Sequence, residues 1–283
     1  MGEFQSQGLL NCHRDHWLKQ RCFLSMGFSR SRLQELWPLQ LEVLNQFMAS
    51  FAAEVDEEPV DVRHHMVKFT LRTVGKSLFG RSMKDEELNS LGNAISKIQA
   101  FIVRQIAQPN KIPWFRISGK TEQFQNIRKE ADQIVRDYVQ LRRQRGDAEL
   151  DLLQQIIETP HRDSGDYLHD EQAVVELLQL LVAGNETSSN TLSWTFYLLA
   201  KHPEHLVIMR EEIEASCNAG EVTYEKLHGL NYALAVLNEA MRLYPPFWMI
   251  DRVAIQADKI GGVAVPAGTT VIPYISVSYT HLR

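Results

Sequence analysis

The chain has 283 residues, 44% of them hydrophobic and 23% charged, which is enough for one large core or two smaller ones. Its net charge of −5 gives no overall basic character and argues against nucleic acid as a partner. The three cysteines, Cys12, Cys22 and Cys217, have neither the spacing of a zinc site nor that of a disulfide framework, which suits a reducing compartment.

Hydrophobic periodicity predicts a mainly helical first half. The helices predicted there are Asp15–Phe23, Leu33–Val55, Val60–Phe79, Glu86–Ile106, Glu122–Arg145 and Asp151–Glu158. The segment Gln108–Lys120 contains Pro113 and Gly119 and is predicted to be a loop. The basic residues 142–145 end a helix, where they suit the helix dipole, and are predicted to be solvated.

The stretch Glu176–Tyr197 is predicted to be a long buried helix, because apolar residues lie almost all round its first turns. Into that run the sequence inserts Gly184, Glu186 and Thr187, and a buried Glu is unfavourable unless it is paired or hydrated. Gly184 would let a ligand approach the backbone, while Glu186 and Thr187 form an acid–alcohol pair that can pass protons. A kinked core helix with a solvated notch explains the same residues, so the stretch alone leaves both interpretations open.

Further elements follow the central helix. They are a helix over Pro203–Cys217, a small helix capped by Thr223, a helix over Tyr232–Tyr244, and short β-rich runs at Met249–Ile255, Val263–Val265 and Thr270–Tyr274. Glu239 and Arg242 are i, i+3 neighbours and can form an ion pair. Because Leu234, Leu237 and Met241 are expected to bury one side of that helix, the pair is predicted to lie in a crowded, partly dry setting.

Four motifs, in this order along the chain, resemble those of the cytochrome P450, or haem-thiolate monooxygenase, family. They are Trp17 and Arg21 of a haem-propionate helix, Ala183–Thr187 of the oxygen-activating helix, Glu239 and Arg242 of the Glu-x-x-Arg helix, and Arg252 of a propionate-binding strand. The resemblance covers nearly the whole chain. It implies a mainly α, P450-like helical fold with a small β-rich region near the C-terminus.

The resemblance also implies an activity: insertion of one atom of O2 into a hydrophobic organic substrate, with haem as the cofactor and O2 as co-substrate. The expected catalytic residues are Gly184, which would leave room for O2, Thr187, which would bond the oxygen and help to protonate it, and Glu186, which would relay protons. The expected haem-binding residues are Trp17, Arg21, Ala183, Gly184, Thr187 and Arg252. Glu239 and Arg242 would form a structural pair. Phe247, Trp248, Met249 and Ile250 would line the substrate pocket with Ala183.

The axial cysteine of the family lies in a Gly-rich loop downstream of the Glu-x-x-Arg helix, and no cysteine of this chain occupies such a loop. We therefore predict no metal ligand within the chain and expect residues 1–283 to be one partial P450 domain, an internal fragment lacking both ends. Ser278–Arg283 do not follow the continuation that the family leads us to expect. The alternative interpretation is a truncated, non-catalytic helical fragment or a binding module without haem-thiolate activity.

Electrons would come from a separate NAD(P)H-linked redox partner, which the resemblance identifies as an electron-transfer protein: a ferredoxin, a flavodoxin or a reductase. Arg14 and Lys19, beside Trp17, make that helix locally basic and are predicted to help dock an acidic partner. We expect a monomer. The first residues lack the apolar core of a signal peptide, and the buried helix carries too many polar residues to span a membrane, so we expect a cytoplasmic location.

Overall fold

The structure is a computed structural model that describes residues 8–12, 14–55, 59–145, 149, 151–160, 165, 167–217 and 222–275. The terminal Ser278–Arg283 lie outside the described residues. The helices are α1 Arg14–Ser25, α2 Arg30–Val55, α3 Val62–Phe79, α4 Asp85–Ala107, α5 Ile112–Ile117, α6 Lys120–Arg145, α7 Leu152–Glu158, α8 Asp170–Lys201, α9 Pro203–Cys217, α10 Tyr224–Leu227 and α11 Asn231–Leu243. The strands are β1 Arg252–Val253, β2 Asp258–Ile260, β3 Val263–Val265 and β4 Thr270–Val271. The mainly α fold with a small β-rich C-terminal region is confirmed.

The chain divides into two compact units, one of Met1–Val60 with Val67–Asn185 and the other of Asp61–Met66 with Glu186–Arg283. Both α3 and α8 contribute residues to each unit. The core of the first unit is built from apolar side chains of α3, α4, α6, α7 and α8. The largest that are fully buried include Leu78, Phe79, Leu91, Val135, Val139, Leu153, Leu177 and Leu181.

The amphipathic pattern of the helices explains this core. In α4 the buried residues Leu88, Leu91 and Ile95 recur at i, i+3 and i+7, so they share one face of the helix. Each buried aliphatic side chain contributes about 1.5–3 kcal/mol through removal from water. The central helix, α8, turns Ala173, Leu177 and Leu181 inward in the same way, and it ends before Pro203, as predicted.

In the second unit α9 packs against α11. The carboxylate of Glu212 accepts hydrogen bonds from the backbone N–H groups of Tyr232 and Ala233, at 2.7 and 2.9 Å. These N–H groups lie in the first turn of α11, where they have no hydrogen-bond acceptor within the helix. Thr223 accepts from Lys226 N and caps α10, which confirms the predicted cap.

The strands pair as two short antiparallel ladders. Strands β2 and β3 form a hairpin through Gly261 and Gly262, whose φ angles are +56° and +86°, so the turn requires the conformational freedom of glycine at both positions. The predicted run Val263–Val265 is strand β3, whereas β2 is a strand that the sequence analysis did not predict. Strand β1 pairs with β4, with Arg252 opposite Val271.

Two local predictions are wrong. The segment Gln108–Lys120 is not a loop throughout: it contains a 3-10 turn at Pro109–Lys111 and the helix α5. Pro113 is tolerated there because it stands in the first turn, where its missing N–H has no helical partner in any case. The basic end of α6 is not wholly solvated, since Arg142 is only 5% exposed.

Candidate active site

Gly184, the first residue of the polar stretch in α8, lies in the first unit and makes packing contacts there. A Cβ atom added to Gly184 would lie 3.1 Å from both γ-carbons of Val74, so the glycine lets α3 approach α8 closely. Next to it Asn185 is buried, and Thr70 Oγ1 donates to Asn185 Oδ1 at 2.7 Å. Packing alone explains Gly184, and the room for O2 there stays a prediction.

Glu186 and Thr187 follow in the second unit. Glu186 is exposed rather than buried, and Thr187 is half-buried. The backbone carbonyl of Glu186 accepts from Ser189 Oγ at 3.1 Å, and that of Thr187 accepts from Thr191 Oγ1 at 2.9 Å. Hydroxyl groups that bond back to the preceding turn tend to bend a helix. An exposed carboxyl next to a half-buried hydroxyl can exchange protons with water.

The buried acid of α8 is Glu176, which the sequence did not single out. It is fully buried in the first unit, and it accepts hydrogen bonds from Leu9 N at 3.0 Å and Gln172 Nε2 at 2.7 Å. Burial raises the pKa of this carboxyl, although these hydrogen bonds oppose the rise. The sequence could have predicted this burial, because Glu176 lies one turn after Ala173 and next to Leu177, on the inward face of the helix.

The predicted propionate donors of the first unit are on α1. The guanidinium carbon of Arg21 lies 5.5 Å from the ring centroid of Trp17, and both side chains are exposed. This cation–π contact holds a charged donor beside the indole. Lys19 is exposed on the same helix, whereas the side chain of Arg14 lies outside the described residues.

Arg252 is in the second unit, on β1, where its side chain is exposed and Nη1 donates to the carbonyl of Asp251 at 2.7 Å. The guanidinium of Arg21 with the indole N–H of Trp17 in the first unit, and the guanidinium of Arg252 in the second, each suit a carboxylate, because charge-assisted bonds from arginine to carboxylate are strong and can be bidentate. Taken separately, these donors have the chemistry to bind carboxylate groups such as those of a haem.

The predicted pair of Glu239 and Arg242 forms on α11. Arg242 Nε and Nη2 each donate to a carboxylate oxygen of Glu239 at 2.6 Å, and this pairing raises the pKa of Arg242. The prediction of a partly dry setting is wrong, because the side chain of Arg242 is 31% exposed and that of Glu239 is 53% exposed. Leu234 and Met241 are exposed as well, so helical periodicity identified an apolar face that the described chain does not cover.

The segment predicted to line the substrate pocket is an exposed apolar strip. Phe247, Trp248, Met249 and Ile250 are between 37% and 61% exposed. The backbone pairs with a second extended segment: Ile250 N donates to Pro273 O at 3.2 Å and Ile275 N donates to Trp248 O at 2.9 Å.

A cavity of about 220 Å³ that is partly open to solvent lies within the first unit, and it is lined by α4, α6, α8 and the segment near residue 10. Its walls are mostly aliphatic, and the apolar side chains that line it include Leu10, Ile95, Ile98, Ile102, Val175, Leu178 and Val182. The sequence analysis missed this site. The spacing of Ile95, Ile98 and Ile102 on α4 was the available signal, because it marks one helical face.

Two polar features interrupt the apolar wall. Arg128 and Asp132 lie one turn apart on α6, with Nε 3.7 Å from Oδ2, and burial raises the pKa of Asp132 although Arg128 opposes it. Gln179 accepts a hydrogen bond from Leu10 N through Oε1 at 3.0 Å. Its Nε2 is buried and has no hydrogen-bond partner among the residues that the structure describes.

The second unit contains a cleft of about 440 Å³, between the end of α8, the start of α9 and α11. Glu239 and Arg242 lie on its rim, and His205 Nδ1 is 2.6 Å from the hydroxyl of Tyr232. In the described part of the chain no group of three or more His, Cys, Asp or Glu residues is placed to hold a metal ion. The three cysteines are unpaired there, with Cys217 buried.

These features define a mainly helical protein whose longest helix carries an acid–alcohol pair and whose exposed arginines suit carboxylate groups. A family model described as Cytochrome P450 matches residues 2–281. The chain belongs to the cytochrome P450 family.

The similar proteins that follow are consistent with this family assignment. The chain is 26% identical to pentalenene oxygenase of Streptomyces avermitilis, over 95% of the chain and 59% of that protein. It is 28% identical to cyclooctat-9-en-7-ol 5-monooxygenase of Streptomyces melanosporofaciens, over 75% of the chain and 46% of that protein. It is 27% identical to a bifunctional cytochrome P450/NADPH–P450 reductase of Bacillus cereus, over 92% of the chain and 25% of that protein.

A solved structure, the cytochrome P450DA haem domain, shares the fold with a TM-score of 0.84 at 23% identity, over 99% of this chain and 61% of that one. The chain thus spans about half the length of the two Streptomyces relatives.

Proposed function

We propose that the full-length protein is a haem-dependent monooxygenase that inserts one atom of O2 into a hydrophobic organic substrate. The observation that carries the proposal is the family match over residues 2–281. Residues 1–283 would form part of a single P450 domain. The names of the two Streptomyces relatives, an oxygenase and a monooxygenase, support the reaction class.

Haem would be held at its propionates by the exposed donors of Trp17, Arg21 and Arg252, through charge-assisted hydrogen bonds. The cysteine that binds its iron would come from outside these residues. Ala183, Gly184 and Thr187 of α8 would lie next to the haem, and the pair of Glu239 and Arg242 would support the haem-binding side. When bound, haem supplies O2 activation and transfer of one oxygen atom to the substrate.

Glu186 and Thr187 would control protons. The exposed carboxyl of Glu186 is in contact with solvent and would collect protons from water. The half-buried hydroxyl of Thr187 would receive such a proton and donate it to the oxygen that reacts.

The substrate would be a hydrophobic small molecule, because the cavity of the first unit has mostly aliphatic walls. The strip from Phe247 to Ile250 would contribute further apolar surface. The pentalenene and cyclooctat-9-en-7-ol in the names of the relatives favour a polycyclic terpenoid over a polar metabolite.

Electrons would come from an NAD(P)H-linked partner, and the family relative that is fused to a reductase supports this coupling. We infer an acidic electron-transfer protein, since Lys19 is exposed on α1 in a locally basic segment. No helix of the described residues is long and apolar enough to cross a membrane. The unpaired cysteines support a reducing, cytoplasmic location, and we infer a monomer.

The test is made on the full-length protein, purified with haem and supplied with NADPH, a reductase system and a panel of terpenoids. Isotopically labelled O2 should place one labelled oxygen atom in the product and the other in water. The ferrous–CO spectrum of a thiolate-ligated haem should accompany this activity. A protein that binds haem without a thiolate, or that transfers oxygen from water, would exclude a P450 monooxygenase.

A further inference from the structure

An ion pair lies in the wall of the cavity in the first unit. Of the described residues that line this cavity, only Arg128 and Asp132 are charged, and they lie one turn apart on α6. Ala131 is on the same face of the helix and is buried, so this face is turned toward the protein interior. The side chains of Arg128 and Asp132 nevertheless keep 25% and 27% of their surface exposed, so a molecule in the cavity can reach them.

The two charges attract each other without forming a hydrogen bond. Arg128 Nε lies 3.7 Å from Asp132 Oδ2, whereas a hydrogen bond between such groups is about 2.7–3.2 Å long. The neighbouring Arg136, whose charge also acts on Asp132, is instead hydrogen-bonded to Glu171 at 3.1 and 2.6 Å. Within the described part of the chain, the guanidinium of Arg128 can therefore still donate to a bound molecule, and the carboxylate of Asp132 can still accept from it.

A hydroxyl group is the ligand group that matches this pair. Its oxygen accepts from the guanidinium and its proton is donated to the carboxylate, so it can bridge the 3.7 Å gap with two charge-assisted hydrogen bonds. A carbonyl oxygen can only accept, and it would therefore use Arg128 alone. A ligand carboxylate would be repelled by Asp132, and a ligand ammonium would be repelled by Arg128. The remaining wall is mostly aliphatic, which suits an apolar skeleton.

We infer that the substrate is an alcohol on an apolar skeleton, whose hydroxyl group binds between Arg128 and Asp132. This inference rests on the proposed function and narrows its substrate class. Arg128 and Asp132 would be specificity-determining residues: the aliphatic wall binds the skeleton, while the pair selects the hydroxyl group and fixes its orientation. The hydroxyl group would be introduced by an earlier reaction on the same skeleton.

The experiment measures the binding of three matched probes, cyclodecanol, cyclodecanone and cyclodecane, to the full-length, haem-loaded protein by equilibrium dialysis. After correction for their different solubilities in water, the wild type should bind the alcohol about five- to tenfold more tightly than the ketone. Asp132→Ala removes the acceptor, so the alcohol should bind no more tightly than the ketone. Arg128→Met keeps a long side chain but removes the donor, so the ketone should bind no more tightly than the hydrocarbon.

Asp137→Ala is the matched control, because Asp137 is exposed on the same helix and does not line the cavity; it should keep the preference for the alcohol. Equal affinities of the wild type for the alcohol and the ketone would overturn the inference, and so would a preference that survives Asp132→Ala. If no probe binds, the inference fails as well. The labelled-O2 test of the proposed function does not depend on this cavity, so a protein that passes it without preferring the alcohol separates the two outcomes.

Discussion

Arg142 binds both carboxylate oxygens of Asp151, through Nη1 at 3.1 Å and Nη2 at 2.8 Å, and the two side chains are only 5% and 0% exposed. Nη1 also donates to Gln154 Oε1 at 3.2 Å, and Nη2 is 3.4 Å from the carbonyl of Phe79. Asp151 in turn caps α7 by accepting from Gln154 N. This pair therefore joins the end of α6 to the start of α7 inside the first unit.

Replacing Arg142 with Ala should lower the free energy of unfolding by about 3–5 kcal/mol, because it leaves the carboxylate of Asp151 buried without its partner. Urea denaturation of the full-length protein measures the loss. Arg32 makes an exposed pair with Glu35 at 2.7 Å and provides the control, since Arg32→Ala should change the free energy of unfolding by less than about 1 kcal/mol. Similar losses of free energy of unfolding in both variants would show that the buried pair of Arg142 and Asp151 stabilises the protein no more than the exposed pair does.

Glu176 should make stability depend on pH. Because burial raises the pKa of its carboxyl, the folded state binds the proton more tightly than the unfolded state does. The contribution of Glu176 to stability is therefore complete below the ordinary pKa of about 4.3 and is lost as pH rises through the raised value. Relative to the wild type, Glu176→Gln should gain free energy of unfolding as pH rises across that interval.

Urea denaturation at a series of pH values measures this difference. Glu130 is exposed on α6, and Glu130→Gln is the matched control for replacing a carboxyl group with an amide at an exposed site. If the difference for Glu176→Gln instead fell with rising pH, the hydrogen bonds from Leu9 and Gln172 would outweigh the effect of burial.

The sequence predicted those features that depend on local chemistry. Pro203 began α9, and Thr223 capped α10. Each of these residues acts through its own backbone or a neighbour within a few positions, so no knowledge of the tertiary structure was needed.

What the sequence could not predict depends on which element covers which face. Arg142 looked like a solvated helix end, but Asp151, nine residues on, folds back onto it. Glu186 looked buried because its helix is apolar, yet Glu176 is the buried acid and Glu186 faces solvent. Gln179 could not be recognised as a cavity residue, since its contact with Leu10 joins segments 169 positions apart.

Lys19 should affect electron delivery. Lys19→Glu reverses a charge on the exposed face of α1 and should slow reduction of the full-length protein by an acidic partner several-fold at low ionic strength. Added salt should remove the difference, because exposed charges are screened. Stopped-flow reduction measures the rate. Lys97→Glu, on α4, makes the same charge change elsewhere and should leave the rate unchanged; equal slowing by both would indicate net charge rather than docking.

Thr187 should determine what fraction of the NADPH consumed is coupled to formation of hydroxylated product. Thr187→Ala removes the hydroxyl that would pass a proton toward the reaction, while the backbone carbonyl that accepts from Thr191 Oγ1 remains, so the helix should fold unchanged. In the full-length protein O2 and NADPH should still be consumed, but several-fold more should leave as hydrogen peroxide and less as hydroxylated product. Thr187→Ser keeps a hydroxyl and should preserve most of the coupling. The ratio of product to NADPH consumed measures the effect, and an unchanged ratio in Thr187→Ala would assign Thr187 to packing.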